Sequence, residues 1–280
     1  MSARKGRLAP RSTGAPPWGS PDPSGSAPSG DATGAAVELR GVRQAFGELV
    51  ALDGVDLQVP PHGRLAVVGP SGGGKSTLLG LVAGLLEPTA GGVLVGGEPG
   101  WRQRLRRCAL MPQKDLLLPW RSALDNACLA LENQGLSRAE ARRRARPLFQ
   151  RFGLGEFERS LPGQLSGGMR QRVAFLRTLL AGKQVLLLDE PFGALDSITR
   201  GRMQEWLAEA LAAQPSTVML VTHDVEEALL LGDVVAVLSA RPGRVVHRLQ
   251  VGFDRGGRRR EVVASQAFVA ARQTILEALE

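Results

Sequence analysis

The sequence predicts an α/β fold built around a mainly parallel sheet, and three observations lead to that prediction. A β-rich apolar run, Arg64-Leu-Ala-Val-Val, leads into the glycine-rich loop Gly69–Ser76. Apolar residues at helical spacing follow that loop, which gives the order strand, loop, helix. From Val185 onward, short apolar runs alternate with helical patterns, and such alternation favours parallel strand pairing.

Two segments with strand-like alternation precede the glycine-rich loop. They are Val37–Val42 and Ala51–Val59, so we expect order to begin near Ala36. Residues 1–35 are dominated by proline, glycine and serine and cannot bury enough apolar surface to offset their ordering entropy. They are predicted to be a disordered tail. After the loop, Val93–Val95 stands between two glycine pairs and predicts a hairpin-like element.

The middle of the chain, about residues 121–165, has a helical pattern. Ser137-Arg-Ala-Glu140 is typical of a capping box at the start of an arginine-rich amphipathic helix. The later elements are predicted to be a buried strand ending at Asp189, a helix around 200–213, the strand Thr217–Thr222, a helix from about 224 and the strand Val234–Leu238.

The last stretch, Glu261–Glu280, is predicted to form one helix. Its candidate packing residues are Val262, Phe268, Val269, Ile275, Leu276 and Leu279.

Composition indicates a soluble chain with a substantial core, since 43% of its 280 residues are apolar. No window approaches the roughly 18 uninterrupted apolar residues that span a bilayer. No apolar segment follows the basic N-terminal residues, so we expect a cytoplasmic chain without a secretory signal. Cys108 and Cys128 match no metal or redox spacing and predict free, buried thiols.

The net charge of +8 raises the question of nucleic-acid binding. The positive charge is dispersed, with arginine clusters at 142–146 and 255–260. Aromatic residues make up only 4% of the chain and tyrosine is absent, so the sequence offers no stacking platform for bases. We therefore interpret the charge as a solvated basic face, of the kind that can lie near anionic lipid.

The loop Gly69–Ser76 has the chemistry of a phosphate-binding loop. Its glycines let successive backbone N–H groups turn towards phosphate oxygens, and the following helix adds the positive end of its dipole. Lys75 is predicted to reach the β- and γ-phosphates, and Ser76 is predicted to ligate Mg²⁺.

Polar residues at the ends of later strands fit the same site. Asp189 is predicted to hold the Mg²⁺ shell, and Glu190 to polarise the attacking water. His223 follows a strand that should lie beside the one ending at Asp189, which favours contact with the γ-phosphate. The amide of Gln113, in a loop, can ligate Mg²⁺ or the attacking water.

The segment Leu165–Gln171 offers a second place for an anion. Ser166-Gly167-Gly168 opens a predicted helix, where a hydroxyl and exposed N–H groups suit either an ordinary N-cap or a bound phosphate. A phosphate held by Lys75 does not need this site. A nucleotide supplied by a partner subunit would explain it.

In this order the motifs resemble the ATP-binding cassette family of transporter ATPases, over about Val37 to Val246. The six motifs are the Walker A loop Gly69–Ser76, the Q-loop residue Gln113, the signature Leu165–Gln171, the Walker B acids Asp189 and Glu190, the D-loop Ala194–Asp196 and the switch His223.

The resemblance implies a P-loop ATPase core of the RecA type, with an N-terminal antiparallel β subdomain. It places an inserted α-helical subdomain at about 116–170, within an ATPase domain at 36–254. Residues 255–280 would form a basic segment and a C-terminal helix. It also implies a head-to-tail dimer holding two ATP molecules, each between one Walker A loop and the partner's copy of the signature.

The resemblance assigns roles to individual residues. The catalytic residues would be Lys75, Glu190 and His223, and the Mg²⁺ ligands Ser76, Gln113 and Asp189. Phe46 takes the adenine-stacking position where the family often has tyrosine, which keeps the π-face and loses the hydroxyl. The residues assigned to ATP are Phe46, Gly69, Pro70, Ser71, Gly72, Gly73, Gly74, Lys75, Ser76, Thr77, Gln113, Ser166, Gly167, Gly168 and Asp196.

A narrower resemblance comes from Leu116–Trp120 and Asp189–Asp196, which are similar to the importer subgroup for nitrate, sulfonate, taurine and the pyrimidine precursor of thiamine. Leu118–Asn126 and Asp196–Arg200 lean towards the thiamine-precursor branch. The resemblance implies permease subunits, a second copy or a homologous ATPase subunit, and indirectly an extracytoplasmic solute-binding protein. It places the chain at the cytoplasmic face of the membrane.

Two other classes of the superfamily remain open from sequence. A DNA-repair or chromosome-organising ATPase would carry a long coiled coil between Lys75 and Ser166, where this chain has no sustained heptads. An exporter subunit uses the same chemistry, and only the importer-like segments distinguish it. Nucleic acid is not an expected partner.

Overall fold

Six strands form the central sheet of the computed structural model, which describes residues 36–193, 195–213, 216–255 and 259–280. The predicted tail, 1–35, lies outside the described residues. Numbered along the chain, the strands run across the sheet in the order β5 (Cys108–Met111), β6 (Val185–Asp189), β7 (Thr217–Thr222), β3 (Arg64–Val68), β8 (Val234–Leu238) and β9 (Val245–Gln250). All pairs are parallel except β8 with β9. The predicted α/β class is confirmed.

The register of this sheet brings three strand ends together. In the β6–β7 pair Asp189 lies opposite Val221, and in the β3–β7 pair Val68 lies opposite Thr222. The loop after β3, the acid after β6 and the histidine after β7 therefore leave the same edge of the sheet. Ligand sites of open α/β sheets form at this edge.

A separate antiparallel sheet of three strands flanks the phosphate loop, with two strands before the loop in the chain and one after it. It has the order β2 (Leu49–Val59), β1 (Val37–Phe46) and β4 (Ala90–Val95). The predicted hairpin-like element at Val93–Val95 is the end of β4, whose long-range partner is β1. The tight turn that follows it holds Gly96 and Gly97, both at positive φ.

The described helices pack around the two sheets. They are α1 (Lys75–Val82), α2 (Trp101–Arg107), α3 (Ala123–Asn133), α4 (Arg138–Arg151), α5 (Gly167–Leu180), α6 (Ser197–Ala213), α7 (Val225–Leu231), α8 (Arg259–Ala264) and α9 (Gln266–Leu279). No helix in the described part of the chain is both long enough and apolar enough to cross a bilayer.

The helices α3 and α4 occupy the segment where the sequence predicts a helical insert. Ser137 caps α4, because its Oγ accepts a hydrogen bond from the Glu140 N–H at 3.3 Å. The Glu140 carboxylate does not complete a capping box and instead pairs with Arg143 and Arg144. The predicted helix start is correct, and half of the predicted cap forms.

Two apolar clusters lie on opposite faces of the central sheet. In β6, Leu186 and Leu188 face the cluster that includes α3 to α5, whereas Val185 and Leu187 face the one that includes α1 and the antiparallel sheet. Burial on both faces explains why this strand reads as an unbroken apolar run.

The C-terminal stretch differs from the single helix predicted. The chain breaks at Ser265, whose Oγ accepts a hydrogen bond from the Phe268 N–H and so caps α9. Of the candidate packing residues, Val262, Phe268 and Ile275 are buried and Leu279 packs partly against the core. The prediction is wrong for Val269 and Leu276, which are exposed because only one face of α9 meets the core.

Both cysteines are free and buried, as expected. Burial raises the pKa of each thiol to about 12, so both remain protonated at neutral pH.

Candidate nucleotide site

The phosphate loop joins β3 to α1 and depends on glycine in two ways. Gly74, immediately before α1, has φ of +86°, a left-handed conformation that glycine adopts at low cost. A Cβ at Gly74 would lie 2.6 Å from Leu52 Cδ2, and one at Gly73 would lie 2.8 Å from the Ser239 carbonyl oxygen. The antiparallel sheet and the segment after β8 therefore press on the loop from outside.

Lys75 begins α1 and turns back into this loop. Its Nζ donates to the carbonyl oxygens of Gly69 and Pro70, each at 2.8 Å, and only 7% of the residue is exposed. Burial lowers the pKa of Lys75, while the nearby Glu190 and Asp189 carboxylates act in the opposite direction. The ammonium group is thus held at the loop by partners that an anionic ligand can replace.

Asp189 ends β6 and faces the first turn of α1. The Ser76 hydroxyl hydrogen-bonds to its carboxylate, and 6% of the residue is exposed. Burial raises the pKa of Asp189, and Glu190 adds to the rise, against the hydrogen bond from Ser76. A hydroxyl and a carboxylate oxygen therefore lie side by side next to the phosphate loop.

Glu190, Gln113 and His223 meet at one carboxylate. Gln113 Nε2 donates to Glu190 Oε2 at 3.2 Å, and His223 Nδ1 lies 3.4 Å from Glu190 Oε1. The Glu190 backbone N–H donates to the Val221 carbonyl oxygen at 2.8 Å, which ties the end of β6 to β7. His223 and Gln113 are exposed, so both can move towards a ligand.

The side chain of Gln171 contacts Glu190, although the sequence analysis assigned Gln171 no chemical role. It is buried in α5, and its Nε2 donates to the backbone carbonyl oxygen of Glu190 at 3.3 Å. The segment Leu165–Gln171 thus supports the acid at the end of β6 within the same chain. The sequence shows Gln171 as the last residue of Leu165–Gln171, but no pattern in it indicates a hydrogen bond to the backbone of Glu190.

The other end of that segment, Ser166–Gly168, forms the start of α5. Ser166 caps α5 by accepting from the Met169 N–H at 3.2 Å, and both Ser166 and Gly167 are exposed. Among the described residues, no hydrogen bond joins Ser166–Gly168 to Gly69–Thr77. Ser166 therefore acts as the N-cap of α5, and the start of this helix is exposed on the surface of the chain.

The remaining predicted residues are placed as follows. Phe46 ends β1 with its ring exposed, and Pro70, Ser71 and Gly72 form the exposed rim of the phosphate loop. Thr77 is partly buried in α1. Asp196 caps α6, since its Oδ1 accepts from the Thr199 N–H at 3.0 Å. Ala194 of the predicted D-loop lies outside the described residues.

Known proteins place the chain in a family. The family model described as ABC transporter matches residues 52–193. A taurine import ATP-binding protein of Rhizobium johnstonii is 44% identical over 80% of this chain and 87% of its own length. An aliphatic sulfonates import ATP-binding protein of Rhodococcus jostii is 48% identical over 72% of this chain and 79% of its own.

Solved structures agree with this placement. The dimeric structure of MJ0796, a bacterial ABC transporter cassette, has a TM-score of 0.71 and 31% identity over 78% of this chain and all of that chain. A post-hydrolysis dimer of the same cassette, bound to ADP and phosphate, has a TM-score of 0.70 and 29% identity. The chain therefore belongs to the ABC transporter family, as one of its ATP-binding cassettes.

Proposed function

We propose that this chain hydrolyses ATP to drive an importer for a small solute of the sulfonate or taurine type. The observation that carries the ATPase part is the meeting of Gln113, Glu190 and His223 beside the phosphate loop. Relatives named for taurine and sulfonate import, at 44% and 48% identity, support the solute class.

In the proposed reaction the phosphate loop and Lys75 hold the β- and γ-phosphates. Glu190 orients the attacking water and accepts its proton, because its carboxylate lies beside both Gln113 Nε2 and His223 Nδ1 at the end of β6. His223 contacts the γ-phosphate from the end of β7, and Gln113 reaches the site from the loop after β5. Such positioning is the main protein contribution to phosphoryl transfer.

Mg²⁺ fits the residues proposed to hold it. Ser76, Asp189 and Gln113 offer hydroxyl, carboxylate and amide oxygens, which are the donors that this cation prefers. The hydrogen bond between Ser76 and the buried Asp189 already places two of these donors together. When bound, the cation would supply charge neutralisation on the β- and γ-phosphates.

We propose that Ser166–Gly168 completes the ATP site of a second subunit. Its exposed helix start, which makes no hydrogen bond to the described phosphate loop of its own chain, supports this role. The likeness to a cassette solved as a dimer supports it as well. The partner would be a second copy or a homologous ATPase subunit, and Phe46 would stack on the adenine.

Permease subunits are the proposed membrane partners, which would place the chain at the cytoplasmic face. The loop after Gln113 exposes two large apolar side chains, Leu116 at 60% and Trp120 at 73%. Because this loop follows Gln113 directly, a movement of Gln113 when ATP binds would shift the loop, and a permease segment bound to the loop would move with it. A solute-binding protein would act on the chain only through the permease, and nucleic acid is not an expected partner.

Solute uptake tests the proposal. Cells that carry the chain with its permease and binding protein should accumulate labelled taurine or an aliphatic sulfonate, and the Lys75→Met variant should abolish uptake. Arg102→Gln, an exposed substitution away from the site, is the control. Uptake that persists with Lys75→Met would contradict the proposed role of ATP, and ATP-dependent efflux of the same solutes would identify an exporter.

A further inference from the structure

Arg200 links two segments that flank the proposed hydrolysis site. It lies in the first turn of α6, and its Nη2 donates to the Leu195 carbonyl oxygen at 3.1 Å. Its backbone N–H donates to the Asp196 carbonyl oxygen at 2.8 Å. The side chain thus folds back over the segment that the sequence identified as the D-loop.

The other side of the Arg200 guanidinium reaches the residue after His223. Its Nη1 lies 3.5 Å from Asp224 Oδ2. The second oxygen of that carboxylate, Oδ1, accepts from the N–H groups of Glu226 and Glu227 and so caps α7. Asp224 therefore fixes the turn that carries His223, and Arg200 fixes Asp224.

The ion pair between Arg200 and Asp224 lies next to other carboxyl groups, which distinguishes it from an isolated pair on the surface. Glu227 is 3% exposed, and its Oε1 has no hydrogen-bond partner among the described residues. Asp224, Glu227 and Glu190 bring three carboxyl groups to the end of β7, and Arg200 is the cation that pairs with one of them. Removing this partly buried cation leaves the Asp224 carboxylate without its charged partner, next to Glu190 and Glu227, which costs more than breaking an exposed pair.

We propose that Arg200 is a positioning residue for hydrolysis: it couples the Leu195–Asp196 segment to the Asp224 cap and thereby sets the place of His223. The inference rests on the proposed function, because it assumes that His223 acts in ATP hydrolysis. It adds that a shift of the D-loop segment is transmitted to the switch histidine within one chain, through one guanidinium group.

The test compares ATP turnover of four variants of the full chain. Arg200→Gln removes the cation, Arg200→Lys keeps the charge but cannot make both contacts, and Asp224→Asn keeps an oxygen for the helix cap while losing the charge. Arg202→Gln, an exposed change on the same helix, is the matched control. We expect Arg200→Gln to lower kcat about tenfold to a hundredfold with KM within twofold, and Arg200→Lys to lower it less.

Two further readouts separate positioning from loss of structure. The double variant Arg200→Gln/Asp224→Asn should be no slower than the slower single variant, because both changes break one connection. The chain has only three histidines, so imidazole NMR signals can be assigned, and that of His223 should move in Arg200→Gln while those of His62 and His247 stay.

The inference is overturned if the kcat of Arg200→Gln equals that of Arg202→Gln. It is also overturned if the loss of kcat in the double variant is the product of the losses in Arg200→Gln and Asp224→Asn. If Arg200→Gln does not fold, Arg200→Lys and Asp224→Asn decide in the same way. Wild-type protein that fails to hydrolyse ATP, or whose turnover is unaffected by His223→Ala, would refute the proposed function itself.

Discussion

Glu190 adopts a backbone conformation that is rare for a residue with a side chain, with φ of +48°. Its N–H and C=O are both held, by Val221 and Gln171 respectively. Strain of this kind costs on the order of 1–3 kcal/mol and persists where surrounding contacts impose it. At Glu190 those contacts aim the carboxylate at Gln113 and His223.

The Glu190→Gln variant should lose turnover and keep ATP. Glutamine preserves size and a hydrogen-bonding oxygen but cannot accept the proton of the attacking water, so we expect kcat to fall by about 100-fold or more. ATP should still bind, and an ATP-bound dimer should accumulate. Phosphate release and size-exclusion chromatography with ATP measure both, with Glu205→Gln as the control. Normal hydrolysis by Glu190→Gln would reject Glu190 as the base.

Glu227 predicts a pH dependence of stability. Burial, reinforced by Asp224, raises its pKa to about 8 from an ordinary 4.5. Between these values the unfolded chain releases the proton that the folded chain keeps, so this group's contribution to stability falls as pH rises, by up to about 1.4 kcal/mol per pH unit. Below pH 4.5 that contribution is fully present.

Replacing Glu227 by glutamine removes this titration. The free energy of unfolding of Glu227→Gln and of the wild type is measured with denaturant at pH 5, 6.5 and 8. The difference, variant minus wild type, should become more positive with each rise in pH. Glu156→Gln, in an exposed turn, should show no such trend. Parallel pH curves for the wild type and Glu227→Gln would contradict a protonated Glu227.

Individual side chains differ in how far the sequence predicts them. Asp189 and His223 could be predicted because each stands at the end of an apolar strand, and Lys75 because it lies at the end of the glycine-rich loop that follows another strand; parallel strands share an edge. Gln171 and Glu227 were not, because each acts through contacts that the fold creates. Neither residue belongs to a local pattern that signals a backbone acceptor or a buried carboxyl.

At the scale of elements, α5 connects the signature segment to the loop after Gln113. Arg170 Nε lies 3.0 Å from Asp115 Oδ2. Arg177 donates to the carbonyl oxygens of Asp115 and Leu116, at 2.7 and 2.9 Å. Leu116 has φ of +45°, so the exposed loop keeps an unfavourable conformation because the helix holds it.

The Arg177→Met variant should therefore be destabilised. The partly buried Asp115 carbonyl and the exposed Leu116 carbonyl would both lose their donor, which costs about 1–3 kcal/mol of unfolding free energy. Chemical denaturation measures this loss. The control Arg143→Met removes an arginine that pairs with Glu140 on an exposed helix face, and should change stability by about 0.5 kcal/mol or less. Equal effects of the two substitutions would argue against the helix holding the loop.

Element boundaries show where periodicity is insufficient. The break at Ser265 interrupts an otherwise helical pattern, because the serine hydroxyl caps α9. The strand β5 has four residues and follows the arginine-rich helix α2 directly, so it offers too short an apolar run to identify. Only its pairing with β6 makes it a strand.

At the scale of the whole molecule, the alternation of strands and helices was enough to predict the parallel sheet and the edge that carries the site. The antiparallel sheet came from the resemblance, since the pairing of β1 with β4 joins distant segments. The same sheet presses Leu52 against Gly74, so it shapes the phosphate loop as well as flanking it.

Completion of the ATP site by a second subunit is the central feature of the proposed function. Turnover per subunit, measured across protein concentrations that span the monomer–dimer equilibrium, tests it most directly when ATP binding is followed alongside. We predict that the monomer binds ATP, and that turnover per subunit falls as the dimer dissociates. Constant turnover per subunit at concentrations where the protein sediments as a monomer would contradict the claim and leave Ser166 as a helix cap alone.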